Sequence, residues 1–539
     1  SATLTEARVT DPPTEHPPAD SSSPESPRAW APLTRRDHLS LGFVAVVLLI
    51  ATVPRLPFGI CRGDPGDLQL AGSVLGIAHP PGYPGYASVL FLLTRVPGLE
   101  PAYVVSLACL LGGIAAVLLC MLTQIRLGVH SAVAGAISLL LTGSMRFWGN
   151  MLVPEVYAVS LALFAGSSYF LLKYAHTGRR AYLLAAAGLF GFLLGNRPPA
   201  AIAAPILVAS AWLAASRSGM NARRNFSLIV LATIAAAAPV VYSFAYLLVR
   251  DRPTTPYNYI EETNREWRHL PPADAGVKAK IERVYWLTSG QQFRYLFGNS
   301  LRGVLGKLRW IAMDLTKDLP DEMPTLVVFA LVALGGWVAF RDSPAGATAL
   351  LAMAIQPVLY VCIYRIYGQA ADLMPTIYAS GVFLGKALST VFPVRAWRPR
   401  SVDAALVLLG VAAWTLYDAP RRSESLQGWD ASVASAATDL PTLPADSVIL
   451  SVWDPSLPLR YAQRLHSNRQ DIQIFTAFPG EWTNLAAKYA DRPIFVTSDE
   501  QDIQRDYELI EYRNLWRLAP RRDRGDAETP PSRMPGDQK

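Results

Sequence analysis

The run VVSLACLLGGIAAVLLCML (104–122) contains no charged residue, and it decides the fold class of this chain. A helix needs about 20 predominantly apolar residues to cross the hydrocarbon core of a bilayer. Similar runs recur along the chain, beginning with LGFVAVVLLIATV (41–53). Of the 539 residues, 51% are hydrophobic and 17% are charged, and the mean hydropathy is +0.23. Because ordinary soluble domains carry roughly 25% charged residues, the sequence predicts a multi-pass membrane protein.

The apolar runs predict an all-α polytopic membrane domain with about eleven transmembrane helices. The predicted spans are 40–57, 101–124, 131–147, 156–173, 181–195, 199–215, 226–249, 324–340, 346–364, 371–391 and 403–417. The run ASVLFLL (87–93) is too short to cross, and we expect it to form a helix at the membrane interface. We find no internal repeat of fixed period.

The distribution of Lys and Arg predicts the topology, since these residues are concentrated in cytoplasmic loops. With a cytoplasmic N-terminus, the predicted inner loops hold most of them, while the short outer loops hold Arg146, Arg197 and Arg365. If 86–98 were counted as a further span, every later loop would change sides and the basic clusters would lie outside the cell. We therefore expect loops 58–100 and 250–323, and everything after 418, on the exoplasmic face. The composition, rich in Ala, Arg and Pro, suggests a bacterial plasma membrane.

Charge and cysteine content exclude several other classes of protein. The net charge is +7, but the basic residues lie between hydrophobic runs, which is typical of a topology signal and not of a nucleic-acid surface. Three of the four cysteines, Cys109, Cys120 and Cys362, lie in apolar segments. This placement excludes a disulfide-stapled scaffold. No C-x-x-C pair is present, which argues against a cysteine zinc site.

The chain divides into four predicted parts. These are a disordered cytoplasmic tail (1–33), a transmembrane catalytic domain (34–418), a small exoplasmic α/β domain (419–519) and a second disordered tail (520–539). In the third part, strands at 447–453, 471–475 and 493–497 alternate with helices at 457–466 and 481–490, which favours a parallel sheet. This domain is either a docking or acceptor-binding module or a cap that only stabilises the membrane part.

The first outer loop contains the principal candidate site. Its sequence GDPGDLQLAGSVLGIAHPPGYPGY (63–86) places Asp64 and Asp67 directly after a membrane span. A structural interpretation makes Asp67 the N-cap of a helix over 68–75 and Asp64 a turn former. The segment HPPGYP (79–84), with candidates His79 and Tyr83, has a backbone stiffened by prolines. It either holds the acidic segment in place or is a rigid connector.

Three further polar segments lie on the same predicted face. They supply the candidates Asn150, Glu155 and Tyr157 from RFWGNMLVPEVYAVSLALF (146–164), Asn196 and Arg197 from GNRPPA (195–200), and Arg365, Tyr367 and Asp372 from YRIYGQAADLMP (364–375). Glu155 either interacts with a helix dipole or contacts a sugar hydroxyl or the first-loop aspartate. An arginine at membrane depth either snorkels or binds a lipid phosphate. Because all four segments share one predicted face, we expect them to converge at one outer cavity.

These motifs resemble those of a bacterial multi-pass family long labelled as of unknown function. Members commonly show Asp-Ser-Gly-Glu, then a helix, then His-Pro-Pro-Gly-Tyr-Pro, and this chain has GDPGD and HPPGYP. PEVYAVSL resembles the Glu-x-Tyr-Ala-Leu segment of that family, and LPADSVILSVWDPSLPLRYAQRLHSNRQDIQIF resembles the region after its last span. The family is similar to the GT-C membrane glycosyltransferases, and its animal relatives are linked to protein O-mannosylation in the secretory pathway.

The resemblance implies a catalytic carboxylate in the first outer loop and a polyprenyl-phosphate-linked sugar as donor. By motif position Asp64 matches the aspartate of the family, Asp67 stands in place of its glutamate, and Pro65 replaces its serine. The expected reaction is inverting transfer of a mannose-like sugar to an acceptor hydroxyl, with Asp64 as general base. Asp67 would be its partner or a ligand of Mg²⁺ or Mn²⁺. His79 would contact the donor phosphate or the loop, and Arg365 or Arg197 would stabilise the leaving phosphate.

Two other function classes fit the same composition. A transporter or flippase of lipid-linked sugars shares the hydrophobicity and the intramembrane charges, although inverted repeats are not found. A non-catalytic membrane assembly factor would use the C-terminal domain to bind partners. Within the transferase hypothesis, a protein Ser or Thr, a glycan or a lipid each remains open as the acceptor.

Overall fold

The computed structural model describes residues 32–217, 221–267, 270–316, 325–365, 369–392, 401–424 and 438–521. The tails predicted to be disordered lie almost entirely outside these ranges. Most of the described chain is helical, and a small sheet follows at the C-terminal end. The predicted fold class, a helical membrane domain followed by a small α/β domain, is therefore confirmed.

The helices up to residue 424 form the membrane part. In the described ranges they are α1 (Arg35–Thr52), α2 (Gly63–Val74), α3 (Pro84–Leu93), α4 (Pro101–Arg126), α5 (Ser131–Thr142), α6 (Met145–Leu152), α7 (Val156–Thr177), α8 (Arg180–Asn196), α9 (Ala204–Arg217), α10 (Ala222–Arg250), α11 (Tyr259–Trp267), α12 (Val277–Thr288), α13 (Leu301–Thr316), α14 (Thr325–Asp342), α15 (Pro344–Ile363), α16 (Met374–Val391) and α17 (Ser401–Glu424). A helix is present at every predicted span, and the predicted interfacial helix at 87–93 is α3.

The protein is an integral multi-pass membrane protein. Within the described ranges, six helical segments are long and apolar enough to cross a bilayer. They are Arg35–Arg55, Pro101–Arg126, Val156–Thr177, Pro198–Arg217, Ala222–Arg250 and Pro344–Ile363. The total of about eleven crossings, the orientation of the chain and its bacterial origin stay predictions.

One predicted span is interrupted. The segment 131–147 was expected to be continuous, but α5 ends at Thr142 and a separate short helix, α6, starts at Met145. The hydroxyl of Ser144 accepts a hydrogen bond from the backbone N–H of Phe147, 3.2 Å away, and so caps the new helix. The polar residues on α6 therefore belong to a separate short helix and not to a continuous helix over 131–147.

Small residues allow the membrane helices to pack closely. A Cβ atom at Gly191 of α8 would lie 2.0 Å from the backbone oxygen of Ala236 in α10, so the two helix backbones are in direct contact. Gly195, one turn later, faces Ser243 in the same way. Interfaces of this kind are typical of helices in lipid, where close packing replaces the hydrophobic effect as the source of association.

The C-terminal domain contains a five-stranded mixed sheet. Its strands are β1 (Val448–Ser451), β2 (Gln473–Thr476), β3 (Ile494–Val496), β4 (Tyr507–Tyr512) and β5 (Leu515–Pro520), arranged in the order β2-β1-β3-β5-β4. The three predicted strands form the parallel half, with Val448 opposite both Gln473 and Ile494. The antiparallel hairpin β4–β5 was not predicted. It pairs with the sheet through β3, where Phe495 lies opposite Arg517.

Helices cover both faces of this sheet. Helix α18 (Trp453–Tyr461) packs through Leu459 against Ile449 and Ile474, while α19 (Pro479–Lys488) packs through Trp482 against Val448. Successive residues of β1 thus enter opposite cores, as the two-residue period of a strand requires. Helix α18 begins at Trp453, four residues before the predicted start at 457, so the predicted strand 447–453 is too long.

Helix α18 also attaches the domain to the membrane part. Leu457 and Tyr461 are buried in one apolar cluster with residues of α2, α3 and α4. The hydroxyl of Tyr461 donates to the carboxylate of Glu100 and accepts from the N–H of Ala102, 3.0 Å away. Since these groups stand at the start of α4, the C-terminal domain rests directly on the first outer loop.

Candidate active site

Asp64 lies in the first turn of α2, in the first outer loop. The helix begins at Gly63, whose φ of +63° is a backbone conformation that glycine adopts without strain, and Pro65 fits the first turn because no N–H bond is needed there. The prediction that Asp67 caps a helix over 68–75 is therefore wrong at its start, although the helix does end next to Gly76. The Asp64 side chain is 52% exposed, so an acceptor can reach it.

Asp67 is wholly buried inside the same helix. Its Oδ2 accepts hydrogen bonds from the backbone N–H of His79 at 2.8 Å and from the imidazole Nδ1 at 2.6 Å. Its Oδ1 accepts a hydrogen bond from the hydroxyl of Tyr257. A carboxylate whose oxygens are occupied in this way holds its neighbours in position and is not available as a proton acceptor for a substrate.

His79 connects the two aspartates. With Nδ1 on Asp67, its Nε2 lies 3.8 Å from Oδ2 of Asp64 and 3.3 Å from the hydroxyl of Tyr83. Burial opposes the charged imidazole, but the nearby carboxylate of Asp64 and the hydrogen bond to Asp67 outweigh it and raise the pKa of His79 to about 9. The imidazole is therefore positively charged at neutral pH and places this charge next to the carboxyl group of Asp64.

Glu155 is the N-cap residue of α7 and faces the same charges. Burial and the negative charge of Asp64 raise the pKa of Glu155 to about 8, although His79 and Arg197 act in the opposite direction. At neutral pH the carboxyl group is largely protonated, so it can donate a hydrogen bond as well as accept one. Such a group is suited to contact a sugar hydroxyl.

Arg197 supplies a fixed positive charge next to these acids. Its Nη2 forms an ion pair with Asp372, which is buried, and its guanidinium lies 4.7 Å from the centre of the Tyr157 ring. Burial acts against this charge, but Asp372, Tyr157 and Tyr83 outweigh it, and the pKa of Arg197 is raised above its ordinary value. The guanidinium is therefore cationic at any pH of interest.

Arg197 and Asp372 line a narrow pocket between α7, α8, α15 and α16. The lining combines apolar residues such as Phe164, Leu193 and Pro357 with polar side chains. A pocket that combines apolar residues with a cationic group matches the chemistry of a lipid that carries a phosphate.

The structure thus brings together eight of the predicted site residues. They are Asp64, Asp67, His79, Tyr83, Glu155, Tyr157, Arg197 and Asp372. The contacts come from five separated segments, which the charge-based topology placed on one face.

Other predicted residues have structural roles or lie outside the described residues. The side chain of Asn150 donates to the backbone oxygen of Arg146 in its own helix. The side-chain oxygen of Asn196 in α8 accepts a hydrogen bond from the backbone N–H of Tyr86 in α3, 2.8 Å away, and so connects the two helices. Arg365 is exposed and donates to the backbone oxygen of Tyr295, which makes Arg197 the better candidate for a phosphate contact. Tyr367 lies outside the described residues.

The carboxylates do not fit a metal site. Among the residues that the structure describes, no group of three or more His, Cys, Asp or Glu side chains is placed to hold an ion. Asp67, the proposed second ligand, already accepts hydrogen bonds from Tyr257 and His79. Mg²⁺ or Mn²⁺, which the sequence left as one of two roles for Asp67, has no support in the described geometry, whereas Arg197 can neutralise a phosphate without an ion.

Sequence reasoning missed two aromatic residues that contact the aspartates. Tyr257, from the second outer loop, donates to Asp67, and the indole Nε1 of Trp453, from α18, donates to Oδ1 of Asp64 at 2.9 Å. Trp453 follows the carboxyl end of a parallel strand, which is where ligands and functional groups collect in α/β sheets. That position was the available signal. No comparable signal marks Tyr257.

Residues 64–219 match a family model described as the N-terminal domain of protein O-mannosyl-transferase TMEM260. The mouse protein O-mannosyl-transferase TMEM260 is 37% identical over 148 residues, which is 26% of this chain. The match spans only a fifth (20%) of the length of the mouse protein. The matched domain begins at Asp64 and includes His79, Glu155 and Arg197.

Two crystal structures of ArnT from Cupriavidus metallidurans resemble the whole chain. The form bound to undecaprenyl phosphate has a TM-score of 0.58 at 14% identity and covers 89% of this chain and 98% of ArnT. The apo form has a TM-score of 0.57 at 13% identity, with 89% and 97% covered. The chain has the GT-C fold. The resemblance to GT-C membrane glycosyltransferases related to O-mannosyltransferases is thereby confirmed, and the described helices and sheet have the GT-C arrangement.

Proposed function

We propose that this GT-C protein is an inverting glycosyltransferase. It moves a mannose-like sugar from a polyprenyl-phosphate donor to an acceptor hydroxyl, of a protein Ser or Thr or of a glycan, on the exoplasmic face. The observation that carries the proposal is a half-exposed carboxylate, Asp64, beside the largely buried imidazolium of His79. The match of residues 64–219 to an O-mannosyltransferase domain supports the sugar class.

Asp64 acts as the general base in this mechanism. It accepts the proton of the acceptor hydroxyl while the hydroxyl oxygen forms a bond to the anomeric carbon of the sugar. The bond from that carbon to the phosphate oxygen breaks at the same time, and the lipid phosphate leaves with the electron pair. Because the two oxygens are on opposite faces of the sugar, the anomeric configuration inverts. Positioned proton transfer of this kind contributes about 10²–10⁴-fold.

Arg197 binds the phosphate in the same mechanism. Its planar guanidinium has five N–H donors, so it can remain paired with Asp372 and still offer donors to the phosphate oxygens. Apolar residues of the same pocket, such as Leu161 and Phe164, would contact the first part of the polyprenyl chain. The crystal structure of the ArnT relative with undecaprenyl phosphate supports a lipid-phosphate donor for this fold.

The deciding experiment incubates the purified full chain with a panel of synthetic polyprenyl-phosphate sugars and measures the lipid phosphate released. Release from the mannose donor, increased by a Ser- and Thr-containing acceptor peptide or a glycan, is the expected result. A flippase would instead move the donor across proteoliposomes without releasing lipid phosphate. A non-catalytic assembly factor would do neither, and substitution of Asp64 would then be silent.

A further inference from the structure

We infer that Trp453 is a positioning residue for the catalytic carboxylate, so the C-terminal domain completes the active site. This inference rests on the proposed function, because it assigns a role to Trp453 through Asp64. The indole N–H donates to Oδ1 of Asp64 at 2.9 Å, across 389 positions of sequence. This hydrogen bond joins the C-terminal domain to the membrane part at the carboxylate of Asp64, the proposed general base.

The two oxygens of Asp64 have different surroundings. Oδ1 accepts the indole N–H, whereas Oδ2 faces the imidazole of His79 at 3.8 Å, beyond hydrogen-bond distance. The carboxylate is thus oriented by one neutral donor and keeps its second oxygen for the proton of the acceptor. Without the indole, a side chain that is 52% exposed would rotate among several orientations.

The Trp453 ring is itself held in place by aromatic neighbours. Tyr259 packs edge-on against it, with ring centres 5.5 Å apart and planes at 84°, and His79 packs similarly at 6.4 Å and 83°. Edge-to-face pairs of this kind are favourable beyond the area that they bury. The indole therefore has a defined rotamer from which its N–H points at Asp64.

The helix that bears Trp453 is fixed to α11 and to α2. Arg460 of α18 forms an ion pair with Glu262 of α11, and a Cβ atom at Gly66 of α2 would lie 3.5 Å from Cβ of Leu457. A Cβ atom at Gly63 would lie 2.9 Å from a carboxylate oxygen of Asp454. The backbone of α2 thus lies close to side chains of α18 on both sides of Asp64. A domain that served only as a cap would not need this approach at the catalytic residue.

The test uses Trp453→Phe in the full chain, which keeps an aromatic ring and removes the N–H donor. The matched control is Trp337→Phe on α14, where the side chain is 64% exposed. With a polyprenyl-phosphate mannose donor, we expect kcat to fall about 10-fold, the value for a lost hydrogen bond to a charged group. The KM for the donor and the thermal unfolding midpoint should match those of the control. An unchanged kcat, or a loss that appears only in KM or in the unfolding midpoint, would overturn the inference.

A second measurement tests the contact without activity. In protein labelled with 5-fluorotryptophan, Trp453→Phe identifies the ¹⁹F signal of Trp453, and Asp64→Asn should shift that signal while the Trp337 signal stays in place. An unshifted Trp453 signal would overturn the inference even in an active enzyme. If the signal shifts but wild-type protein releases no lipid phosphate from any donor, the proposed function fails, and the catalytic role of Trp453 fails with it.

Discussion

The imidazole Nδ1 of His79 lies 2.6 Å from the buried carboxylate of Asp67. This contact gives the two aspartates of the first outer loop different roles. Asp67 is occupied by its neighbours, while Asp64 remains half-exposed. The motif alone left both residues as candidates for chemistry. Their burial assigns Asp64 to the reaction and Asp67 to its support.

Asp64→Asn should abolish transfer without unfolding the protein. We expect the rate of lipid phosphate release to fall by about 10²-fold or more, since the amide cannot accept the proton. The thermal unfolding midpoint should fall much less than that of Asp67→Asn, because the Asp64 side chain is half-exposed. The control is Asp491→Asn, an exposed carboxylate in the C-terminal domain. Full activity of the Asp64 variant would show that another group is the base.

Asp67→Asn should act mainly on stability. The substitution leaves the largely buried imidazolium of His79 without its buried carboxylate partner. Breaking a buried ion pair costs roughly 3 kcal/mol or more. Chemical or thermal unfolding in detergent measures the loss, with Asp491→Asn again as control. A variant as stable as the wild type would mean that Asp67 does not hold His79.

The stability of the protein should fall at alkaline pH. The pKa of His79 is raised from 6.5 to about 9, so its interactions contribute fully below pH 6.5 and are lost as pH rises through 9. Unfolding midpoints measured across this range should decrease, and His79→Gln should flatten the decrease. The decrease in midpoint with pH that remains in His79→Gln is assigned to Glu155, whose pKa is raised from 4.5 to about 8. His38→Gln, at an exposed site, is expected to behave like the wild type.

Arg197→Lys should weaken use of the donor. Lysine keeps the charge next to Asp372 but lacks the planar set of donors that binds phosphate bidentately. We expect the KM for the polyprenyl-phosphate donor to rise about 10-fold with little change in the unfolding midpoint. Arg341→Lys, at an exposed end of α14, is the control. A larger effect from Arg365→Lys than from Arg197→Lys would contradict the assignment.

Gly66→Ala should displace helix α2, which bears Asp64. A Cβ atom at this position would lie 2.1 Å from the backbone oxygen of Cys61, so α2 must shift and the protein should lose both stability and activity. Gly188→Ala is the matched control because it lies inside α8 with nothing within 4 Å of the added atom. That control should gain up to about 1 kcal/mol from helix propensity. Equal unfolding midpoints for the two variants would argue against the close approach at Gly66.

The membrane helices and the convergence of the site were predictable because both depend on long, simple patterns. Apolar runs specify helices in lipid, and the positive-inside rule placed Asp64, Glu155 and Arg197 on one face before any distance was known. The exact start of α2 was not predictable, since Gly63 begins the helix through a positive φ that the sequence does not reveal.

Contacts between distant segments could not be read from the sequence. Nothing in the local pattern joins Tyr257 to Asp67 or Trp453 to Asp64, because each pair is set by how whole elements pack. The hairpin β4–β5 is different. Exposure alternates over the first four residues of YELIEY, as the two-residue period of a strand requires, and Arg513 adopts the left-handed conformation of a tight turn. The alternation of Glu with larger side chains in YEL was the sequence signal for this strand.

The docking of α18 on the first outer loop has a consequence for biosynthesis. The loop that bears Asp64 is synthesised before its indole partner, which is made 389 residues later. A nascent chain that has not reached α18 therefore carries an aspartate without its orienting group. Full turnover is expected only when α18 has been made and has folded back onto the loop, so a product truncated before α18 would be inserted in the membrane yet remain poorly active.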